Sequence, residues 1–229
     1  MRKFLVFLIF LLILLVAADR GAHYAAENEI AKRIAQQYGM ATEPEVTIEG
    51  IPFLNQAING QYSEIRVVTG ALSIEDVQVD RVDATLSDVN APFADLLSSP
   101  TAVAGTVDGT VLLPYSELQK RLPPGVVIET ENGTPRISGD IAYQGFSVAL
   151  QSEFTIEVED GILTVIPGEI QLGEQIIPKG WVQTSLSPSI KLPRLPFDLQ
   201  VTDVELLPNG VQATATGTDV PIVGGQLTQ

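Results

Sequence analysis

The chain changes its hydrophobic pattern once, from a helical period near the N-terminus to alternation over most of the remainder. From Asp19 to Tyr38 apolar residues recur every three or four positions, as on one face of a helix. Gly39 follows as a C-terminal stop. We therefore predict a helix over residues 19–38 that packs against the sheet through the stripe Ala26, Ile30, Ile34 and Tyr38, with Ala31 and Ala35 beside it.

Beyond the helix, alternating segments separated by Gly, Pro and Asn predict a body made mostly of strands. The clearest segment is 146–158, where a single polar residue, Ser152, interrupts one apolar face. That face comprises Phe146, Val148, Leu150, Phe154, Ile156 and Val158. Turns are predicted at Asp160-Gly161 and at Pro208-Asn209-Gly210, and further strands over 45–49, 62–68, 74–89, 162–166 and 197–206.

Two of these strands change the parity of their apolar positions. In 74–89 the change falls across Asp80-Arg81, and in 197–206 it falls between Val201 and Val204, which indicates a β-bulge or bend in each. Long bent strands with one apolar face suit a curved antiparallel sheet. The predicted fold class is α+β: a long, strongly curved antiparallel β-sheet wrapped around the long N-terminal helix, with a short helix near 115–122. Whether the concave side is packed or open for a ligand is not determined by periodicity.

The N-terminus carries a hydrophobic leader. Arg2 and Lys3 precede an unbroken apolar run from Phe4 to Ala18, and the positive end should stay in the cytoplasm, so the remainder is predicted to be extracytoplasmic. The run covers roughly 22 Å, short of the ~30 Å hydrocarbon core. A cleaved signal peptide and an uncleaved anchor are both open. We predict a leader over 1–18, a single domain over 19–217 and a tail over 218–229.

Composition excludes several classes of site. The chain of 229 residues has a net charge of −15, which argues against a nucleic-acid partner because phosphate binding rests on clustered Lys and Arg. It has no cysteine, so thiol chemistry is absent, and its one histidine, His23, lies just past the leader, so we expect no Ser-His-Asp triad. No phosphate loop, calcium loop or Gly-x-Ser-x-Gly motif occurs. We expect no enzyme activity, no metal and no cofactor, although two acids from distant strands could still meet without a sequence signature.

A series of short motifs resembles one known family. In order they are Val46-x-Ile48-x-Gly50-Ile51-Pro52-Phe53-Leu54, Gly60-x-Tyr62, Tyr115-x-x-Leu118, Leu195-Pro196-Phe197-x-Leu199-x-Val201 and Pro208-x-Gly210-Val211. Each motif is common strand-and-turn chemistry, so the specificity lies in their order behind an apolar leader and a helix. Together they resemble the LmeA-like family of actinobacterial cell-envelope proteins.

The resemblance implies a phospholipid-binding protein on the outer side of the plasma membrane, associated with elongation of mannose-containing lipoglycans. It implies a tubular lipid-binding (TULIP-like) fold, phospholipid as ligand, attachment to the plasma membrane through the N-terminal segment, and envelope glycosyltransferases as candidate partners. The family transfers no residue roles position by position, so site residues are inferred from apolar and aromatic placement.

We predict an apolar groove for acyl chains and a basic rim for the headgroup. The groove residues are Phe53, Phe146, Val148, Leu150, Phe154, Ile156, Phe197, Leu199, Ile30 and Ile34, and the rim residues are Lys191 and Arg194. Two other classes are kept: a structural adaptor for envelope biosynthetic enzymes, with its concavity packed shut, and a hydrolase or transferase.

Overall fold

The computed structural model describes residues 2–74, 77–91, 102–143, 146–159, 161–168, 171–172, 180, 186–191 and 199–222. It confirms the α+β class, with one long N-terminal helix and large antiparallel sheets that are not closed. The predicted site residues Arg194 and Phe197 lie outside the described part of the chain. The backbone of Phe146 and Val148 is described, but their side chains are not.

The helices are α1 (Arg2–Gln37), α2 (Phe53–Asn59) and α3 (Tyr115–Gln119). The leader and the predicted helix are therefore one continuous helix of 36 residues, about 54 Å long. It ends near the predicted stop, where Gly39 adopts a φ of 60°. By length and composition α1 could cross a membrane, a property that anchors share with signal sequences.

Fourteen strands lie in the described segments. They are β1 (Glu45–Glu49), β2 (Gln61–Thr69), β3 (Leu72–Ile74), β4 (Val77–Val79), β5 (Arg81–Asn90), β6 (Ala102–Pro114), β7 (Val126–Glu131), β8 (Thr134–Tyr143), β9 (Phe146–Glu159), β10 (Ile162–Pro167), β11 (Gln171–Leu172), β12 (Ser189–Lys191), β13 (Gln200–Leu207) and β14 (Gly210–Ile222). One sheet has the order β1-β2-β5-β6-β14-β13 and another β12-β10-β9-β8-β7, while β11 pairs with β9 and β3 with β4.

The chain forms two compact units. Unit 1 comprises residues 1–70, 83–109 and 217–229, and unit 2 comprises 71–82 and 110–216. In unit 1, α1 packs against β1 and α2. In unit 2, one continuous apolar cluster includes Leu118, Ile137, Val165 and Leu186, all fully buried. The predicted division into leader, single domain and tail stays a prediction; β14 continues to Ile222, four residues beyond the predicted start of the tail.

Several local predictions are confirmed. β9 is one long strand, and its hairpin with β10 pairs Glu159 with Ile162 across a two-residue turn. The predicted bulge in the last hairpin lies between Val201 and Asp203. β13 begins at Gln200, so Leu199 precedes the strand.

The prediction of one continuous strand over 74–89 was wrong. β3 and β4 form a small hairpin, and Asp80 separates β4 from β5. The chain bends at Asp80, whose amide donates to the Leu112 carbonyl at 2.9 Å, so of the predicted bulge or bend the structure has the bend. The short helix predicted near 115–122 is confirmed as α3, which ends at Gln119, and residues 120–122 form hydrogen-bonded turns.

Candidate functional site

The described side chains of the predicted apolar face of β9 lie in the core of unit 2 or pack against it. Leu150 and Phe154 are each 4% exposed and belong to the core cluster. Ile156 and Val158, further along the strand, are partly buried and pack against the same cluster. The face is therefore closed around Leu150 and Phe154 and more open toward the β9–β10 turn.

The neighbouring strands continue this face. β10 places Val165 opposite Ile156 and Leu163 opposite Val158. β8 places Ile137 opposite Ser152, the polar residue that interrupts the pattern. Directly opposite residues of paired strands share a face of the sheet. The Ser152 hydroxyl donates to the Glu153 carbonyl at 2.7 Å, so this buried polar group is satisfied within β9.

An aromatic contact joins β9 to α3. The rings of Tyr115 and Phe154 meet edge to face, with centroids 6.1 Å apart. The Tyr115 hydroxyl donates to the Leu207 carbonyl at 2.6 Å, and burial raises the pKa of Tyr115 to about 12. Tyr115 therefore stays a neutral donor near neutral pH and links α3, β9 and the end of β13.

Partly buried apolar side chains of β9 and β13 pack against this core. β13 packs against β9, and its Val204 and Leu206 contact the core cluster alongside Ile156 and Val158. Sequence reasoning missed the β13 contribution, although the alternation of Val204 and Leu206 signalled an apolar face. Pairing of a face with a distant strand is a tertiary property. We call these four residues, Ile156, Val158, Val204 and Leu206, the apolar rim.

The predicted site residues fall in both units. Phe53, Ile30 and Ile34 belong to unit 1, whereas Leu150, Phe154, Ile156, Leu199 and Lys191 belong to unit 2. Phe53 is 2% exposed and contacts the rings of His23 and Tyr62 at centroid distances of 5.5 and 6.4 Å. Ile30, Ile34 and Leu199 are half-buried, and Lys191 is exposed at the end of β12.

Polar side chains of α1 bind the backbone of the adjoining segment. Asp19 Oδ1 accepts from the Leu54 amide at 2.8 Å, and Glu27 Oε1 accepts from the Ile48 amide at 2.9 Å. His23 Nε2 lies 2.8 Å from the Ile48 carbonyl and 3.1 Å from Glu27 Oε1. Because both neighbours are acceptors, Nε2 carries the proton that is donated. We call Asp19, His23 and Glu27 the α1 latch.

A buried carboxylate stabilises α3. Glu117 is 1% exposed; its carboxylate accepts from Lys120 Nζ and lies 3.6 Å from Arg121 Nη1. The hydrogen bond from Lys120 holds the pKa of Glu117 below its usual value despite the opposing effect of burial. Nothing in the sequence distinguished this acid from solvated ones, because its burial depends on the packing of α3.

A polar pocket lies on the sheet of unit 2. It has a volume of about 420 Å³ and is lined by Arg136, Gln151, Ser152, Glu153, Phe154, Thr155 and Gly168. Arg136 forms ion pairs with Glu131 at 3.2 Å and Glu153 at 3.0 Å. Its lining does not match the apolar groove predicted from the sequence. Within the described ranges no three His, Asp or Glu side chains meet as a metal site would require.

Comparison with known proteins gives one family. No curated protein and no solved structure matches the chain. The family of LmeA-like phospholipid-binding proteins matches residues 17–216, which include all but the first fifteen residues of α1, most of the strands and every predicted site residue. Because this match extends over most of the chain, the protein belongs to the LmeA-like phospholipid-binding family.

Proposed function

We propose that this protein holds a phospholipid acyl chain against the apolar rim of unit 2, at the outer face of the plasma membrane, and thereby supports lipoglycan elongation or lipid homeostasis in the envelope. The family supports phospholipid binding and is a lipid-binding family, not an enzyme family. The observation that carries the acyl-chain site is the apolar face of β9, closed at Phe154 and only partly buried at Ile156 and Val158.

The energetics of this site require no charged contact. Each buried CH₂ contributes roughly 0.8 kcal/mol, so a chain of about fourteen carbons could supply up to ~11 kcal/mol before ordering costs. The net charge of −15 disfavours general adhesion to anionic headgroups, which leaves apolar burial as the main source of affinity. Lys191, exposed on β12, is the described residue of the proposed headgroup rim; Arg194 and the groove residue Phe197 remain part of the proposal.

The membrane arrangement follows from α1. Arg2 and Lys3 at its start favour a cytoplasmic N-terminus, which would put the folded units on the opposite side. An uncleaved leader would keep the apolar rim close to its lipid source and raise the effective lipid concentration. A cleaved leader would release the same units as a secreted protein.

Photo-crosslinking of the full chain tests the acyl-chain site. The chain is reconstituted in phosphatidylcholine vesicles that contain a phospholipid with a diazirine in its acyl chain, and crosslinked peptides are mapped by mass spectrometry. We expect labels in 146–159 and 200–207 in addition to α1. Labels confined to α1 would contradict the proposal, because lipid would then touch only the anchor.

Two variants of β9 provide the matched comparison. Ile156→Gln places a polar amide in the apolar rim and should reduce labelling of β9 and β13. Glu157→Gln changes the adjacent, exposed position on the other side of the strand and should leave labelling unchanged. Equal labelling of both variants, with circular dichroism showing that both fold, would remove the apolar rim from the site.

One observation favours the adaptor function as a second candidate. Leu118, Ile137, Val165 and Leu186 are fully buried in unit 2, as expected of a packed core without a ligand. In that case the protein would position envelope glycosyltransferases through an exposed surface. Absence of diazirine labels from every peptide of unit 2 would favour this candidate.

A further inference from the structure

Two large apolar side chains stand out on unit 1. Ile51, in the turn between β1 and α2, and Ile58, on α2, are each 82% exposed. Single exposed apolar residues are common in folded proteins and need no explanation. What suggests a role for Ile51 and Ile58 is their position relative to α1.

The α1 latch fixes how far along α1 each part of this segment lies. Ile48 is bonded to His23 and Glu27, whereas Leu54 is bonded to Asp19. The chain therefore travels toward the N-terminal end of α1 as it goes from Ile48 to Leu54. At Leu54 the chain lies beside Asp19, which is the first residue after the apolar run that ends at Ala18.

α2 lies across the end of the β1–β2 hairpin. Register pairs Glu49 with Glu64, so Gln61 extends about 10 Å beyond the last residue of β1. Gln56, in the middle of α2, donates to the Glu49 carbonyl at 3.0 Å and accepts from the Ser63 amide at 3.2 Å. α2 thus bridges β1 and β2, at the end of their hairpin that lies toward Asp19.

The two faces of α2 differ. Phe53 is buried against His23 and Tyr62, whereas Asn55 and Ile58 are exposed. Ile58 follows Phe53 by five residues, about 140° around a helix, so the two point to nearly opposite sides. The exposed face of α2 is therefore directed away from the hairpin, beside Asp19, where the exposed apolar run of α1 ends.

Because the apolar run is short, the part of unit 1 beside Asp19 should lie close to the bilayer. Fifteen apolar residues cover roughly 22 Å of the ~30 Å hydrocarbon core, and such a mismatch is relieved by drawing flanking residues into the interface. Tyr24, 63% exposed and about 8 Å along α1 from Asp19, has the side chain that is enriched at this depth.

We propose that Ile51 and Ile58 form a membrane-docking surface whose partner is the phospholipid bilayer crossed by α1. This proposal depends on the proposed function in one respect only, namely that α1 is an uncleaved anchor. Apolar insertion, not charge, holds it, because Glu49 and Glu64 lie beside it and would be repelled by anionic headgroups. Docking would prevent α1 from acting as a free tether and would give unit 1 one orientation on the membrane.

The test uses the absence of cysteine from the chain. Single-cysteine variants of the full chain, Ile51→Cys and Ile58→Cys, are labelled with an environment-sensitive fluorophore in phosphatidylcholine vesicles with or without acyl-chain spin-labelled lipid. Gln37→Cys, at the far end of α1 and about 27 Å from Asp19, is the matched exposed control. Leu12→Cys, within the apolar run, reports insertion of the anchor.

We expect labels at positions 12, 51 and 58 to lose most of their fluorescence to the spin-labelled lipid, and a label at 37 to keep it. Quenching at 12 with positions 51 and 58 as bright as 37 would overturn the docking surface and leave the anchor standing. No quenching at 12 would overturn the anchor and the docking surface together, while the diazirine experiment would still report separately on the apolar rim. Strong quenching at 37 would overturn the proposed orientation.

Discussion

α1 in unit 1 and β9 in unit 2 are packed through different kinds of side chain. Unit 1 receives α1 through small residues, with Ala26, Ala31 and Ala35 buried, and through carboxylate and imidazole groups bonded to backbone. Unit 2 instead surrounds β9 with large aliphatic and aromatic side chains. The first arrangement fixes the position and direction of a helix, whereas the second supplies apolar surface. Attachment and lipid contact are therefore assigned to different parts of the chain in our proposal.

The largest expected effect comes from the core of unit 2. Phe154→Ala should lower the free energy of unfolding by about 3–5 kcal/mol, because it leaves a cavity beside Tyr115. Glu157 on the same strand is exposed, so Glu157→Gln should change the free energy of unfolding by less than about 0.5 kcal/mol. Urea unfolding followed by circular dichroism measures both. Similar values for the two variants would mean that β9 is not a core strand.

A close backbone approach in the β7–β8 hairpin gives the next effect. Gly139 has a φ of 139°, and a Cβ there would lie 2.0 Å from the Gly125 carbonyl oxygen. Gly139→Ala should cost at least about 1–3 kcal/mol from backbone strain alone. Gly133→Ala, in the turn of the same hairpin, meets no atom within 4 Å and should cost less, since only its φ of 83° is unfavourable. Thermal unfolding that ranked Gly133→Ala as the more damaging variant would contradict this contact.

Glu117 should make the stability of unit 2 depend on pH. Its pKa is lowered in the folded state, so its contribution is present above the ordinary value of 4.5 and is lost as pH falls through the folded pKa. Glu117→Gln should lower the unfolding free energy by about 1–2 kcal/mol at pH 7 and flatten the decline in acid. Urea unfolding at pH 7, 5 and 3 measures this, with Glu129→Gln, an exposed acid, as control. An unchanged pH profile in Glu117→Gln would exclude the ion pair as the cause.

Removal of one hydrogen bond of the α1 latch should have the most local effect. Asp19→Ala removes the acceptor of the Leu54 amide, so exchange of that amide with solvent deuterium should accelerate while peptides of unit 2 exchange as before. Arg20→Ala removes the 2.7 Å ion pair with Asp19 but leaves the acceptor, and is the matched control. Hydrogen exchange with mass spectrometry distinguishes them. Equal protection of Leu54 in both variants would show that the latch does not hold α2.

Local sequence signals predicted most of the isolated elements. Asn-Gly is a turn-forming pair, and Asn132 and Gly133 adopt φ values of 51° and 83°, as a two-residue hairpin turn requires. In β9 buried or half-buried residues alternate with exposed ones from Leu150 to Glu159. α2 was missed, since residues 53–59 carry no helical stripe longer than two turns and the helix depends on Gln56 bridging two strands. The β3–β4 hairpin was missed because alternation is the same in one long strand and in two short ones.

The sequence by itself determined the apolar leader, the absence of cysteine thiols, the long alternating strand β9 and membership of a phospholipid-binding family. These follow from composition and from short-range order, which each residue and its neighbours specify. Only the tertiary structure decided that Leu150 and Phe154 are closed in a core while Ile156 and Val158 stay partly open, and that Asp19 binds α2. The reason is physical: burial and hydrogen bonding between distant segments depend on which surfaces meet, and periodicity describes one surface at a time.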